Sequence, residues 1–160
     1  MKTHRFFSVF LLLILAVSLL TGPASAAEVP DPAIQAKAAL LAAKEAAHLP
    51  VFVTMSFDAG GRTFTGCTVA SMARTLEGLG ADAIGLNCSL GPDLLAPLLK
   101  ELCENTRLPV IAKPNAGLPD PVDGHYDMGP EDFAQALLTC VEAGISIVGG
   151  CCGTSPEYIR

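Results

Sequence analysis

The feature that most constrains the fold is an alternation repeated four times at a spacing of roughly thirty residues. Short apolar, β-branched segments begin near positions 51, 83, 109 and 145, and each is preceded or followed by a segment of helical period. The first is Val51-Phe52-Val53-Thr54-Met55-Ser56-Phe57, introduced by Pro50 and followed by a Gly-rich loop over 58–66. The others are Ala83–Cys88, Pro109–Lys113 and Ile145–Val148. Continuously apolar strands separated by helices read as a parallel sheet with covered faces, because parallel strands need crossover connections and those connections pack on the sheet.

The intervening helices carry one-sided apolar stripes. Ile34, Ala38, Leu41 and Ala42 share a face in an alanine-rich stretch reaching His48, and Val69, Met72, Leu76 and Leu79 mark the next helix. Leu94, Leu95, Leu98, Leu99 and Leu102 predict the third stripe, opened by Gly91-Pro92-Asp93; Phe133, Leu137 and Val141 predict the fourth, opened by Gly129-Pro130-Glu131. Thr154-Ser155-Pro156-Glu157 has the cap, first-turn proline and acid of another helix start. Four βα units make half of a (β/α)8 barrel or a small open sheet. A complete barrel needs about 250 residues, against 160 here.

The first thirty residues differ from the rest. Lys2, His4 and Arg5 precede a 15-residue apolar run, Phe6–Leu20, then Thr21-Gly22-Pro23 and the small-x-small Ala24-Ser25-Ala26. This is the layout of an export signal, and the run is shorter than the ~20 residues of a spanning helix. The expected division is 1–26 as a signal-like segment and 27–160 as the folded domain. Export to the periplasm or medium follows if the segment is used. The formal net charge of −6, without a basic stripe, excludes a nucleic-acid surface, whose affinity rests on Lys and Arg neutralising phosphate.

Reactive groups of parallel α/β folds lie at the carboxyl ends of the strands. Here those ends are Thr54-Met55-Ser56-Phe57, Asn87-Cys88, Pro114-Asn115 and Gly149-Gly150-Cys151-Cys152-Gly153-Thr154. Adjacent residues on a regular strand face opposite ways, so Cys151 and Cys152 can share a site only if the chain turns there. The flanking glycines allow that turn. With Cys88, three thiolates could converge and leave one position of a tetrahedral Zn²⁺ open, the catalytic arrangement; Asn115 ends the strand between them. A disulfide, a redox pair and a Gly-rich phosphate loop are the competing readings of the same cysteines and glycines. Cys103 and Cys140, on helices, read as small hydrophobes, and Cys67 as a loop or cap residue. His48, His125 and the acids Asp120, Asp123 and Asp127 read as solvated groups without ligand spacing.

Gly85–Pro92, Pro114-Asn115-Ala116-Gly117-Leu118-Pro119 and Gly149–Pro156 together closely resemble the homocysteine S-methyltransferase family, nearest to the homocysteine-binding module of cobalamin-dependent methionine synthases. The likeness covers roughly 33–160 and corresponds to strands five to eight, so the implied fold is a partial (β/α)8 TIM barrel. The resemblance implies Zn²⁺ held by Cys88, Cys151 and Cys152, with the sulfur of homocysteine as the fourth ligand, and methyl transfer to give methionine. It also implies that Asn87 and Asn115 shape the metal site and that Ser56 and Met55 line the substrate pocket. The methyl donor, or a module carrying it, is a further implied partner whose identity the motifs do not specify.

The strands one to four that the family's barrel would place first have no counterpart, and the expectation is an incomplete module of low activity alone. Its two open sheet edges invite pairing, through a homodimer of halves or a partner chain completing the barrel. The family's thiol chemistry suits a reducing cytoplasm, in conflict with the export signal. The second reading is therefore an exported, non-catalytic thiol- or metal-binding half-barrel.

Overall fold

A computed structural model describes residues 31–160; the signal-like segment, and the domain boundary drawn at 26, lie outside the described residues. The elements, in chain order, are α1 (Pro32–Ala46), β1 (Phe52–Met55), α2 (Val69–Gly78), β2 (Ala83–Asn87), α3 (Pro92–Asn105), β3 (Val110–Lys113), α4 (Pro130–Glu142), β4 (Ile147–Val148) and α5 (Pro156–Ile159). The four strands form one parallel sheet in the order β1-β2-β3-β4. Consecutive strands are thus neighbours, each pair joined by one helix, which is the connectivity of a barrel wall. No helix among the described residues is long and apolar enough to cross a membrane.

Local chemistry sets the helix starts. The Asp31 carboxylate accepts the Ala33 N–H at 2.8 Å ahead of Pro32, and the Thr68 hydroxyl accepts that of Ser71 at 3.2 Å. Pro92, Pro130 and Pro156 open α3, α4 and α5, where a missing N–H costs nothing. At the far end, the Tyr158 hydroxyl donates to the Met128 carbonyl at 2.7 Å. Its ring meets Phe133 edge-on at 5.4 Å between centroids, which docks α5 against the start of α4.

Strand alternation separates two faces. Met55, Ile84, Leu86, Val110 and Ala112 enter one core with Val69, Met72 and Leu76 of α2, Leu95, Leu99 and Leu102 of α3, and Phe133 of α4. Each such side chain contributes about 1.5–3 kcal/mol by leaving water. On the other, concave face the register aligns Thr54, Gly85, Ile111 and Ile147. Gly85 is required there: a Cβ would lie 2.2 Å from the Ile111 carbonyl oxygen.

Several sequence expectations shift by a residue or more. In α1 the buried residue is Leu40, while Ile34 and Leu41 are exposed. A helix built mostly of alanine has too weak a stripe to fix its own rotation, so packing on α2 and β1 decides it. Leu94 and Val141 are also exposed, and Cys140 is buried in the place expected for Val141. Each helix buries a contact line narrower than the apolar stripe its sequence carries, leaving Leu94 and Val141 outside it. The fourth strand pairs only through Ile147 and Val148. It is the sheet edge, and both residues are part-exposed.

Candidate metal centre

The carboxyl ends of β2, β3 and β4 are stitched together by backbone hydrogen bonds centred on the segment after β3. The Cys88 N–H donates to the Lys113 carbonyl at 3.0 Å, Asn115 N–H to Leu90 at 2.9 Å, Cys151 N–H to Pro114 at 2.8 Å and Ala116 N–H to Cys152 at 2.9 Å. The chain after β3 therefore has the Cys88 turn on one side and the Cys151-Cys152 turn on the other. The buried Asn115 side chain completes the join, its Oδ1 accepting the Cys152 N–H at 3.2 Å.

Both turns use unusual backbone. Cys88 and Ser89 adopt left-handed conformations, with φ of 58° and 61°. For residues with a side chain this costs roughly 1–2 kcal/mol each, and it swings the Cys88 sulfur off the strand axis. Gly153, with φ of 79°, ends the second turn, and both the Thr154 N–H and its hydroxyl bond back to the Cys151 carbonyl at 3.2 and 2.7 Å. That closure lets two adjacent cysteines face one place.

The result is a compact triad. Among the described residues, the sulfurs of Cys88, Cys151 and Cys152 all lie within 4.8 Å of one another. Cys88 and Cys152 are 3.5 Å apart and Cys151 and Cys152 4.0 Å. Three thiolates around a tetrahedral zinc, at Zn–S distances of about 2.3 Å, would stand about 3.8 Å apart. The observed separations bracket that value, so the donor set fits the ion. All three thiols are free, as are Cys67, Cys103 and Cys140.

The thiols are electrostatically unequal. Burial opposes ionisation of Cys88, but the Ser89 N–H, the thiols of Cys152 and Cys151 and the Asn115 amide outweigh it and hold Cys88 below the ordinary thiol value. Burial, reinforced by Cys88, pushes Cys151 up to about 11. Burial raises Cys103 and Cys140 as well. Both lie on the helices, as expected for small apolar residues, with the Cys140 sulfur against the Pro92 carbonyl.

The remaining expected site residues line a cavity of about 870 Å³ between α1 and the ends of β1 and β2, which reaches Asn87 and Ser89 on either side of Cys88 but is not lined by any of the three cysteines. Ser56 and Asn87 line it and are joined by a 3.4 Å hydrogen bond from the amide to the hydroxyl. Met55 contributes to its wall while packing into the helix-side core. Cys67 stands just before the α2 cap, its sulfur 3.6 Å from the Thr68 carbonyl. His125 is solvent-exposed, and the Asp120 carboxylate caps the N–H groups of Val122 and Asp123 in its own loop.

Sequence reasoning passed over Tyr126. Burial raises its hydroxyl pKa, and the charges of the neighbouring cysteine sulfurs add to the effect. Its only signal in the sequence is a lone tyrosine in a loop rich in Gly, Pro and Asp. The left-handed Cys88-Ser89 turn carried no signal at all, since neither residue type favours it.

Comparison with known proteins agrees with this geometry. Residues 25–160 match the family described as homocysteine S-methyltransferase. The chain is 38% identical over 155 residues to the methionine synthase of Mycobacterium leprae (strain TN) and 37% identical over 155 residues to that of Mycobacterium tuberculosis (strain ATCC 25618 / H37Rv). Each alignment covers 91% of this chain but 13% of the relative, so the chain spans about an eighth of their length. Among solved structures, the homocysteine methyltransferase MmuM from Escherichia coli superposes in its metallated form with a TM-score of 0.61 and in its apo form with 0.63. Both are 22% identical; the matches cover 78% and 82% of this chain and 38% and 45% of those chains, and they show the fold. The four strands are part of such a barrel. With the three motifs, the match over 25–160 and the identity to two methionine synthases, the chain belongs to the homocysteine S-methyltransferase family.

Proposed function

We propose that this chain is the homocysteine-binding, thiol-activating module of a methionine-forming enzyme, with Cys88, Cys151 and Cys152 holding one zinc ion. The observation that carries the reading is the convergence of these three sulfurs at the carboxyl end of the sheet. A bound zinc would supply Lewis acidity, keeping a coordinated substrate thiol deprotonated at neutral pH, where a free thiol of pKa near ~8.5 is mostly protonated. Three protein thiolates leave one tetrahedral position for that sulfur.

The protein's own residues do the positioning. Asn115 ties the Cys152 N–H to the end of β3, fixing the two cysteine turns relative to each other. Ser56 and Asn87 present a hydroxyl and an amide to the cavity that reaches the neighbours of Cys88, suited to the polar end of an amino-acid substrate. Met55 supplies apolar wall for its methylenes. In the transfer, a sulfur lone pair forms the new S–CH₃ bond as the methyl–carrier bond breaks, and that bonding pair leaves with the carrier. The methyl donor is brought by a separate module or partner. The edges of β1 and β4 have no strand partner among the described residues, so we infer that efficient turnover needs further barrel wall, from a second copy or another segment.

The test is substrate binding at the metal. Reduced protein loaded with Co²⁺ in place of zinc is titrated with L-homocysteine, and the sulfur-to-cobalt charge-transfer absorption is followed. Growth of that band with saturation supports the proposal, while L-homoserine, which lacks the thiol, leaves it unchanged. An unaltered spectrum at millimolar L-homocysteine would refute it.

A further inference from the structure

The large apolar side chains left in water are concentrated at the two ends of the sheet. Among the described residues, α2 exposes none and α3 only Leu94, whereas α1 exposes Ile34 and Leu41 and α4 exposes Leu138 and Val141. Phe52 of β1 is 56% exposed, and Ile147 and Val148 of β4 are 37% and 46% exposed. By strand alternation and register, Phe52 and Ile147 lie on the concave face with Thr54. A closed barrel fills that face with side chains.

The free edge of β1 also borders a cavity. Adjacent residues of a strand face opposite ways, so a cavity that touches Thr54, Met55 and Ser56 alike runs along that edge, with Ala36 and Ala39 of α1 on its far wall. Its volume of about 870 Å³ is in the upper part of the range for whole drug-sized ligands, more than an amino acid fills. Its end at Ser56 and Asn87 suffices for the substrate. The remainder, between an unpaired strand edge and small side chains, is a seat for another strand.

We propose that the occupant is a second copy of this chain, and that two copies close one eight-stranded barrel around a two-fold axis. β1 and β4 are parallel and lie at opposite edges of the sheet. A two-fold axis along the barrel therefore sets β4 of each copy beside β1 of its partner in the parallel sense, and every edge disappears at once. Four strands from each copy make the eight of the family's barrel. At each seam α4 of one copy meets α1 of the other. α4 carries Glu131, Asp132 and Glu142 and no base, while α1 carries Lys37 and Lys44 against Glu45 alone. This pairing joins helices of unlike charge, where α1 on α1 or α4 on α4 joins like ones. The seam also brings the end of the partner's β1 alongside the Cys151-Cys152 turn that follows β4, so the triad is walled on both sides only in the pair. That consequence for the site rests on the homocysteine reading above; the closure itself rests on the fold.

The experiment uses the reduced, cobalt-loaded full chain, with mass read by sedimentation velocity over a range of concentrations. Phe52→Lys alters the β1 side of the seam, Leu138→Lys the α4 side, and Leu94→Lys, on α3, neither. The three side chains are 56%, 51% and 45% exposed in the single chain, so its fold should persist by circular dichroism. Wild type and Leu94→Lys should sediment as two chains. Phe52→Lys and Leu138→Lys should each weaken the dimer at least about tenfold, because pairing buries an uncompensated charge. Both should keep their metal yet bind L-homocysteine, read from the cobalt charge-transfer band, at least about tenfold more weakly. A wild-type monomer overturns the proposal and assigns the missing wall to another segment. Masses beyond two chains that grow with concentration overturn it too, since closure stops at two. Sensitivity to only one of Phe52→Lys and Leu138→Lys marks a single like-to-like patch and overturns the two-seam closure. A dimer weakened by both, whose cobalt band ignores L-homocysteine, supports closure and overturns the thiol reading instead. Equal L-homocysteine affinity in dimer and monomer overturns the partner's share in the site.

Discussion

Gly85→Ala is the substitution whose effect the fold specifies most sharply. The added Cβ would sit 2.2 Å from the Ile111 carbonyl oxygen, 2.6 Å from the Ile111 Cβ and 2.8 Å from its carbonyl carbon. Non-bonded carbon contacts settle at roughly 3.5–4.0 Å, so β2 and β3 must part by about 1 Å. Nothing flexible can absorb this, because two of the three obstructing atoms are backbone. Overpacking costs about 1–3 kcal/mol, and each ladder hydrogen bond stretched beyond use adds about 1 kcal/mol. A loss of about 3 kcal/mol is the working figure, a large share of the 5–15 kcal/mol typical of a domain. With a urea slope of about 2 kcal/mol per molar, the unfolding midpoint should fall by about 1.5 M, followed by circular dichroism on reduced protein. Gly78→Ala is the internal control. It lies in α2 with no atom within 4 Å of a new Cβ, and the propensity gain of about 0.5–1 kcal/mol should raise the midpoint. A Gly85→Ala midpoint within about 0.3 M of wild type, on the same slope of roughly 2 kcal/mol per molar, would refute the close β2–β3 approach on which the triad's spacing depends.

Two further predictions concern the triad directly. Asn115→Ala deprives the Cys152 N–H of its acceptor and should weaken zinc about tenfold in chelator competition; unchanged affinity would show that Asn115 is only a packing residue. In metal-free reduced protein, Cys88 lies below the ordinary thiol value and Cys151 is at about 11. A lowered pKa means more thiolate at a given pH and a raised one less, so at pH 8 roughly one Cys151 in a thousand is ionised. Iodoacetamide should therefore modify Cys88 at least tenfold faster than Cys151 by peptide mass analysis, and equal rates would contradict the electrostatics.

Much of this architecture can be read from sequence because its signals are local. Strands such as Ala83–Asn87 are apolar up to their last residue, and Pro92 and Pro130 mark helix starts within a residue. The three cysteines were legible because the strand-end rule places them at one end of the sheet, and the glycines beside Cys151 and Cys152 announce a turn. What stayed hidden depends on tertiary packing. The rotation that buries Leu40 rather than Leu41 is set by neighbours of α1. The left-handed Cys88-Ser89 turn is imposed by hydrogen bonds to Lys113 and Leu90 rather than by its residue types. Tyr126 reaches Gly153 across 27 positions, through a hairpin whose closing contacts, Pro119 to Tyr126 and Asp120 to His125, have no periodic signature.

The central claim is that Cys88, Cys151 and Cys152 form one metal centre, and zinc content per chain tests it most directly. Reduced wild-type protein, Cys88→Ser and the off-site control Cys67→Ser are exchanged against zinc-containing buffer, freed of loose metal and assayed by atomic emission. The account predicts about one zinc per chain in wild type and in Cys67→Ser, with most of it lost in Cys88→Ser while the fold persists. Zinc absent from all three, or retained in full by Cys88→Ser, would contradict it.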